Sequence, residues 1–390
     1  MTVLNSWQKL SRITTTQDYG DGKDGDYSSA TIPTMVYGAI SGSNSSGQAT
    51  LNLTSAGSFV NGDFILIHQS RGTGVGQWEV NKIIGGGGTT VLTLLKNLQY
   101  TYQTSGNNLA QIVRIPRYRT VTVPSGTWQT PNWTQSSGGI TIIAANVSIQ
   151  VTGTISAAGV PGQQSTSTVA GVQGCGFIGG QGGGSSTWGY QGEGSVGIGG
   201  QSRSANGTGG GGNFIWGGGA GGGYASGGSG GGGNPSGSTG GGTAGSGDGT
   251  NMMFGGGGGG GSDNNGNRIR SGSTGGGMVI LLSPSITISG AITVSGGNAY
   301  TDGNNSNSAG GAAAGGHVLL VGDTVSMGTN LVSAGGGSAV SIGGAGGTGY
   351  VSAHYKTSIT GSVSLGSLTS TQDTSLLNIP PAGGAFALFV

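Results

Sequence analysis

The segment Asp18-Tyr19-Gly20-Asp21-Gly22-Lys23-Asp24-Gly25-Asp26 holds four of the chain's 12 acidic residues. Closely spaced carboxylates on a glycine-bearing loop can wrap Ca2+, a cation that takes six to eight oxygens. Asp18, Asp21, Asp24 and Asp26 are therefore the metal candidates, although the loop lacks the distal bidentate glutamate of an EF-hand. The alternative is a polar turn leading into 27–31. Glu193 stands near Trp188 and Tyr190, where a sugar could stack. Glycoside hydrolysis uses paired carboxylates, and outside 18–26 the acids are few and scattered. The chain is expected not to be an enzyme, and no cofactor other than Ca2+ is considered.

The remaining reactive side chains point the same way. His68, His317 and His354 lie far apart with no adjacent acid, which fits histidines satisfied within sheets. Cys175, the single cysteine, sits in Gly174-Cys175-Gly176-Phe177 and reads as a small residue in glycine packing. Gly72-Thr73-Gly74-Val75-Gly76 comes after a strand, but a dinucleotide site would need a helix next. The next segment, 77–84, alternates like a strand, so this is a glycine-bearing hairpin. Arg114, Arg117 and Arg119 form a basic cluster around Tyr118, suited to a partner subunit's acids or to a solvated edge.

The elements that must position these groups are set by composition. Charged residues make up 6% of the chain and the net charge is +1, so there is no footprint for nucleic acid or an anionic membrane. One cysteine rules out a disulfide framework. No window reaches about 18 consecutive apolar residues, and the N-terminus lacks the basic and apolar regions of a secretory signal. A particle assembled in the cytoplasm and released by lysis would need none. The expected location is a virion surface or the extracellular space.

Val, Ile and Thr dominate the apolar positions and alternate with polar ones, which predicts strands. Strands at 34–40, 49–54, 63–69, 77–84, 90–95 and 111–115 predict a β-sandwich or barrel over 28–118, preceded by an extended attachment arm, 1–27. A repeat comes next, each unit opened by glycine: Gly139, Gly277, Gly316 and Gly349, with second glycines 14, 13, 12 and 12 positions later. Such a unit cannot bury its apolar face alone, but stacked copies can. The expected body is a β-solenoid, its first rung at 119–156 and further rungs at 278–364, with a C-terminal tail at 365–390. A sandwich of similar strands is the alternative.

Between the rungs lies a glycine block, 157–277, with a run of seven at Gly255–Gly261. The spacing is not the strict third position of collagen. Extended three-residue-per-turn helices without side chains can approach closely, each N–H and C=O bonding sideways to a neighbour. Phe177, Trp188, Tyr190, Phe214, Trp216, Tyr224 and Phe254 interrupt the glycine. Aromatics are unusual in a flexible linker and could cap the bundle or face a ligand.

GGG stretches broken by aromatic-bearing loops resemble the receptor-binding adhesins at the tips of phage long tail fibres. That resemblance implies a polyglycine II sandwich whose loops bind the host surface, here with Trp188, Tyr190, Phe214, Trp216 and Tyr224 as receptor contacts. The strand pattern at 62–83 is likewise similar to glycine-rich bacterial surface and phage proteins. The fold expected is all-β: an N-terminal β domain, a short solenoid body and a polyglycine II-like bundle. The function expected is adhesion to a host glycan or outer-membrane protein by a homo-oligomeric structural protein. Two alternatives stand: a self-assembling filament or fibre subunit joined through residues 1–30 and 385–390, and a polysaccharide-depolymerising spike.

Overall fold

The computed structural model describes residues 19–165, 173–183, 187–213, 217–233, 237–262, 269–300 and 309–374. Among these the regular structure is all β. Six antiparallel strands make the N-terminal sheet, in the order Tyr37–Ala39, Leu109–Ile115, Phe64–Arg71, Trp78–Gly85, Val91–Leu94 and Thr50–Asn52. The segment 72–76 closes the hairpin that pairs Phe64 with Lys82. Alternation divides the central strand between two cores. Ile65 and Ile67 enter the domain's own core with Phe59, Ile83 and Ile112. Leu66 points the other way, into a second core shared with Trp133, Ile140 and Phe254.

The body is a parallel stack. Ile140 pairs with Met278, Met278 with His317, His317 with Tyr350, and Tyr350 with Ser367. Identical positions then form apolar ladders through successive rungs, such as Ile143, Leu281, Leu320 and Ala353. Ile149, Ile286, Val325 and Ile359 make a second, and Ile155, Ile292 and Val332 belong to a third. The fully buried members of these ladders share one core. Burying each such side chain is worth about 1.5–3 kcal/mol, which is why a unit too thin to fold alone is stable in the stack.

The rungs do not keep to the expected limits. The stretch expected to be one rung, 119–156, spans two: Arg117–Val123 and Thr127–Gln129 form the first, ahead of the one that opens at Ile140, with Val121 beside Ile149 and Trp128 beside Ile155. Ser367–Gln372 adds a strand within the segment expected to be tail. Part of the expected arm lies on its own chain, where Tyr27–Ser28 pairs with the first rung.

The glycine block is a hydrogen-bonded bundle with a period of three. In the run 255–261, the N–H groups of Gly255, Gly258 and Gly261 donate to Gly276, Ser273 and Arg270. Those of Gly256 and Gly259 donate to Gly223 and Ala220, and those of Gly257 and Gly260 to Glu193 and Tyr190. One extended segment thus serves three neighbours in rotation. The run 218–223 repeats the pattern, pairing Gly218 and Gly221 with Gly232 and Ser229, Gly219 and Gly222 with Ala309 and Ala312, and Ala220 and Gly223 with Gly211 and Thr208. A Cβ at Gly258 would fall on the carbonyl oxygen of Gly311, far inside van der Waals contact. Main-chain spacing, not side-chain packing, sets the density here. Phe177 and Phe254, 5.5 Å apart edge to face, cap the bundle where it meets the sheets.

Candidate functional site

Residues 188–193 form one edge of the bundle, and the same period sorts their side chains. Gly189 and Gly192 donate to Asn213 and Gly210, while Tyr190 and Glu193 donate to Gln181 and Ile178. Gln191 donates to Gly200. The glycines therefore face the neighbouring glycine run, and the larger residues face outward or toward the sheets. Here the bundle opens a cleft of about 340 Å3, lined by Gln135, Gln173, Ile178, Gly179, Gly180, Gln181, Tyr190, Gln191, Glu193, Ile198 and Gly199.

Glu193 lies in the floor, 2% exposed. Its carboxylate accepts from the Arg71 guanidinium, from Trp133 Nε1 at 3.1 Å and from the Ile178 N–H at 3.0 Å. Burial pushes the Glu193 carboxyl above the usual carboxylate range, against the pull of Arg71. Gln191 is fixed as well, donating to the Ser204 carbonyl at 2.8 Å and accepting from the Gly200 N–H at 2.9 Å. The side-chain amides of Gln135, Gln173 and Gln181 and the Tyr190 hydroxyl, by contrast, have no hydrogen-bond partner among the described residues. Gln135 stands on the tip of the turn 134–137 in the left-handed region, φ 62°, which costs a non-glycine residue about 1 kcal/mol. Ile198, 54% exposed, forms an apolar lip.

Trp188, half-buried, lies outside the cleft on the same run, with the Arg203 guanidinium 5.2 Å above its ring. Of the other expected receptor contacts, Tyr190 lines the cleft. Phe214 and Trp216 lie outside the described residues. Tyr224 requires a correction: it is fully buried. Its hydroxyl accepts from the Met253 N–H and donates to His317 Nδ1 at 2.8 Å, and His317 Nε2 donates to Ser352 Oγ. Ser352 donates in turn to the Gly247 carbonyl, which fixes the whole chain and the neutral His317 tautomer. Tyr224 thus joins the bundle to the rungs, where no receptor reaches it.

The acidic segment meets the basic cluster of its own chain. Asp21 pairs with Arg117 at 2.9 Å, Asp24 with Arg114 at 3.0 Å, and Asp26 with Arg119. Residues 21–26 thus take the place expected for a partner subunit's acids. Asp18 lies outside the described residues, and among those described no group of three or more His, Cys, Asp or Glu is placed to hold a metal ion.

All three histidines are buried; His68 and His317 are satisfied through their neighbours, whereas His354 donates from Nε2 to the Asp248 carbonyl and its Nδ1 has no partner among the described residues. His68 donates to the Met252 carbonyl and accepts from Ser70, and burial lowers it to about 4. His317 is lowered to about 3 for the same reason. Cys175 is buried, and that burial pushes its thiol up to about 12, far from a nucleophile's range.

Sequence reasoning missed the glutamines. Gln173, Gln181, Gln191 and Gln201 recur in the glycine block at intervals of eight to ten positions, and that recurrence of long uncharged side chains was the available signal. Gln135 and Ile198 carried none, since only the folded topology brings them to the cleft.

No family model matches the chain, and no curated protein does. Among solved structures, the Gp54 tailspike of Acinetobacter baumannii bacteriophage AP22, in complex with A. baumannii capsular saccharide, aligns at 11% identity and a TM-score of 0.21. It covers 32% of this chain and 25% of that one. The tailspike gp49 of Pseudomonas phage LKA1 aligns at 18% identity and 0.20, covering 33% and 23%. The tailspike gp61 of Pseudomonas phage phi297 aligns at 9% identity and 0.20, covering 83% and 35%. The match therefore reaches about a quarter to a third of the length of these structures. These neighbours overturn the expectation that the chain is not an enzyme: all three are tailspikes, one solved with a saccharide, and that expectation is withdrawn. No helix among the described residues is long and apolar enough to cross a membrane.

Proposed function

We propose that the chain is a receptor-binding structural protein of a virion surface, and that its glycine bundle presents the cleft beside Tyr190 to a glycan on the host. One observation carries this reading. Three amides and a phenol, all without protein partners among the described residues, surround an open cleft whose floor is glycine backbone held by the buried Arg71–Glu193 pair. A rigid concave site with a few convergent polar groups is the default architecture for small-ligand recognition.

The test is binding of the full chain to host cells and to their purified surface polysaccharide. Tyr190→Ala and Gln181→Ala are expected to lower binding at least tenfold while leaving the melting temperature unchanged. Full binding by both variants would refute the reading. Reducing ends counted in the same incubation show whether the bound polymer is also cut.

A second, compatible role is assembly, favoured by the last rung. From Thr357 to Gln372 there is no charged residue and no proline. Leu365 and Leu368 are 58% and 38% exposed there. Natural edge strands are normally blunted by charge or proline, so this edge suits pairing with another copy of the chain. Leu365→Lys should shift an oligomer toward monomer in sedimentation; an unchanged distribution would discard the role.

A further inference from the structure

Resting on the glycan reading, we infer that the cleft beside Tyr190 selects uncharged sugar residues, hexoses or N-acetylhexosamines, and rejects uronates, sialates and phosphate-bearing repeats. No lysine, arginine or histidine lines it among the described residues. Its single charged lining residue, Glu193, is neutralised by Arg71, with its remaining capacity taken by Trp133 and the Ile178 N–H. An anionic sugar would leave water for a wall without a cation and a floor with a carboxylate in it, and such an unpaired charge is strongly disfavoured. A cationic sugar finds no better partner, because the floor carboxylate is already matched.

The groups that remain suit a neutral ligand. Each glutamine amide offers both donor and acceptor, and a sugar hydroxyl is itself both. Gln135, Gln173 and Gln181 can therefore track a row of hydroxyls or an acetamido group without fixing a sign of charge. Ile198 and the Tyr190 ring supply apolar surface for the C–H face of a pyranose or for an acetyl methyl. Arg203, the cation of this edge, lies off the cleft over Trp188.

The experiment uses the full chain on an immobilised panel of bacterial surface polysaccharides with neutral and with anionic repeats, read at about 50 and about 500 mM NaCl, a range over which exposed charge pairs are screened. Binding is expected on neutral repeats and should change less than about twofold with salt. Gln181→Glu and Gln181→Lys should both weaken it, to similar extents. Salt-sensitive binding to anionic repeats, or tighter binding by Gln181→Lys, would overturn the inference while leaving glycan recognition in place. Binding that survives Tyr190→Ala would instead remove the cleft as the site, and a panel without any binding would remove the glycan reading itself.

Discussion

Arg71 and Glu193 form an ion pair at the junction of the N-terminal sheet and the glycine bundle, each almost wholly buried, with exposures of 3% and 2%. Arg71 ends the strand Phe64–Arg71, and Glu193 closes the bundle edge that carries Tyr190. Gly72 extends the junction by donating to the Ser195 carbonyl at 2.9 Å. The pair therefore joins two elements 122 residues apart and sets the floor of the cleft.

Removing one partner leaves a buried charge uncompensated. Arg71→Met is expected to cost about 3–5 kcal/mol, measured by urea unfolding. The double variant Arg71→Met, Glu193→Met should recover most of that loss, because two apolar side chains replace two desolvated charges. A double variant as unstable as the single one would show that the pair's value is positional.

Stability should fall on the acid side. His68 and His317 sit in the fold at about 4 and about 3, below the ordinary value of 6.5. Between those limits the unfolded chain binds protons that the folded chain does not, so stability is full above about 6.5 and declines as pH drops. The slope is about 1.4 kcal/mol per pH unit for each histidine. Melting temperatures from pH 7 to 4 test this, and His317→Gln should flatten the profile.

The bundle should tolerate a methyl group only at its surface. Gly258→Ala, with the Gly311 carbonyl in the way, is expected to lower the melting temperature by several degrees or to prevent folding. Gly200→Ala, whose Cβ would find its nearest neighbour at 3.9 Å, should melt within about a degree of the parent. Equal behaviour of the two would contradict the packing described.

Amide exchange offers a direct reading of order without side chains. The N–H groups of Gly255–Gly261 each have a main-chain acceptor and are buried. They are expected to exchange as slowly as those of Ile140–Val151, by hydrogen–deuterium mass spectrometry. Exchange at random-coil rates would remove the bundle.

Asp24 anchors residues 19–28 to the stack, accepting from Arg114 at 3.0 Å and from the Arg117 N–H at 2.8 Å. Asp24→Asn is expected to cost about 1 kcal/mol, this being a partly solvated pair. It should also speed protease cleavage near Lys23, with the remaining rungs unaffected.

Much of the architecture was legible because strand and rung leave marks within a few residues. Gly277-Met278-Val279-Ile280 and Gly316-His317-Val318-Leu319 announce equivalent places, and Met278 does pair with His317. The bundle was legible through what glycine lacks. The cleft was not, because its members come from 135, 173–181 and 190–199 and meet only after folding. Tyr224 misled for a related reason. An aromatic among glycines looks stranded in solvent, yet its neighbours His317 and Tyr350 arrive from rungs about a hundred residues further on. The acidic and basic clusters were each visible, but nothing local told that Asp24 and Arg114, 90 residues apart, answer one another.

The period of three in the glycine runs has an evolutionary reading. A segment lengthened or shortened by one full turn keeps every remaining amide aimed at its former neighbour, whereas a single inserted residue rotates each later one by a third of a turn. Tips between runs can thus be exchanged wholesale provided the runs change in triplets. The loops of such a lineage are free to diversify while the scaffold beneath stays the same.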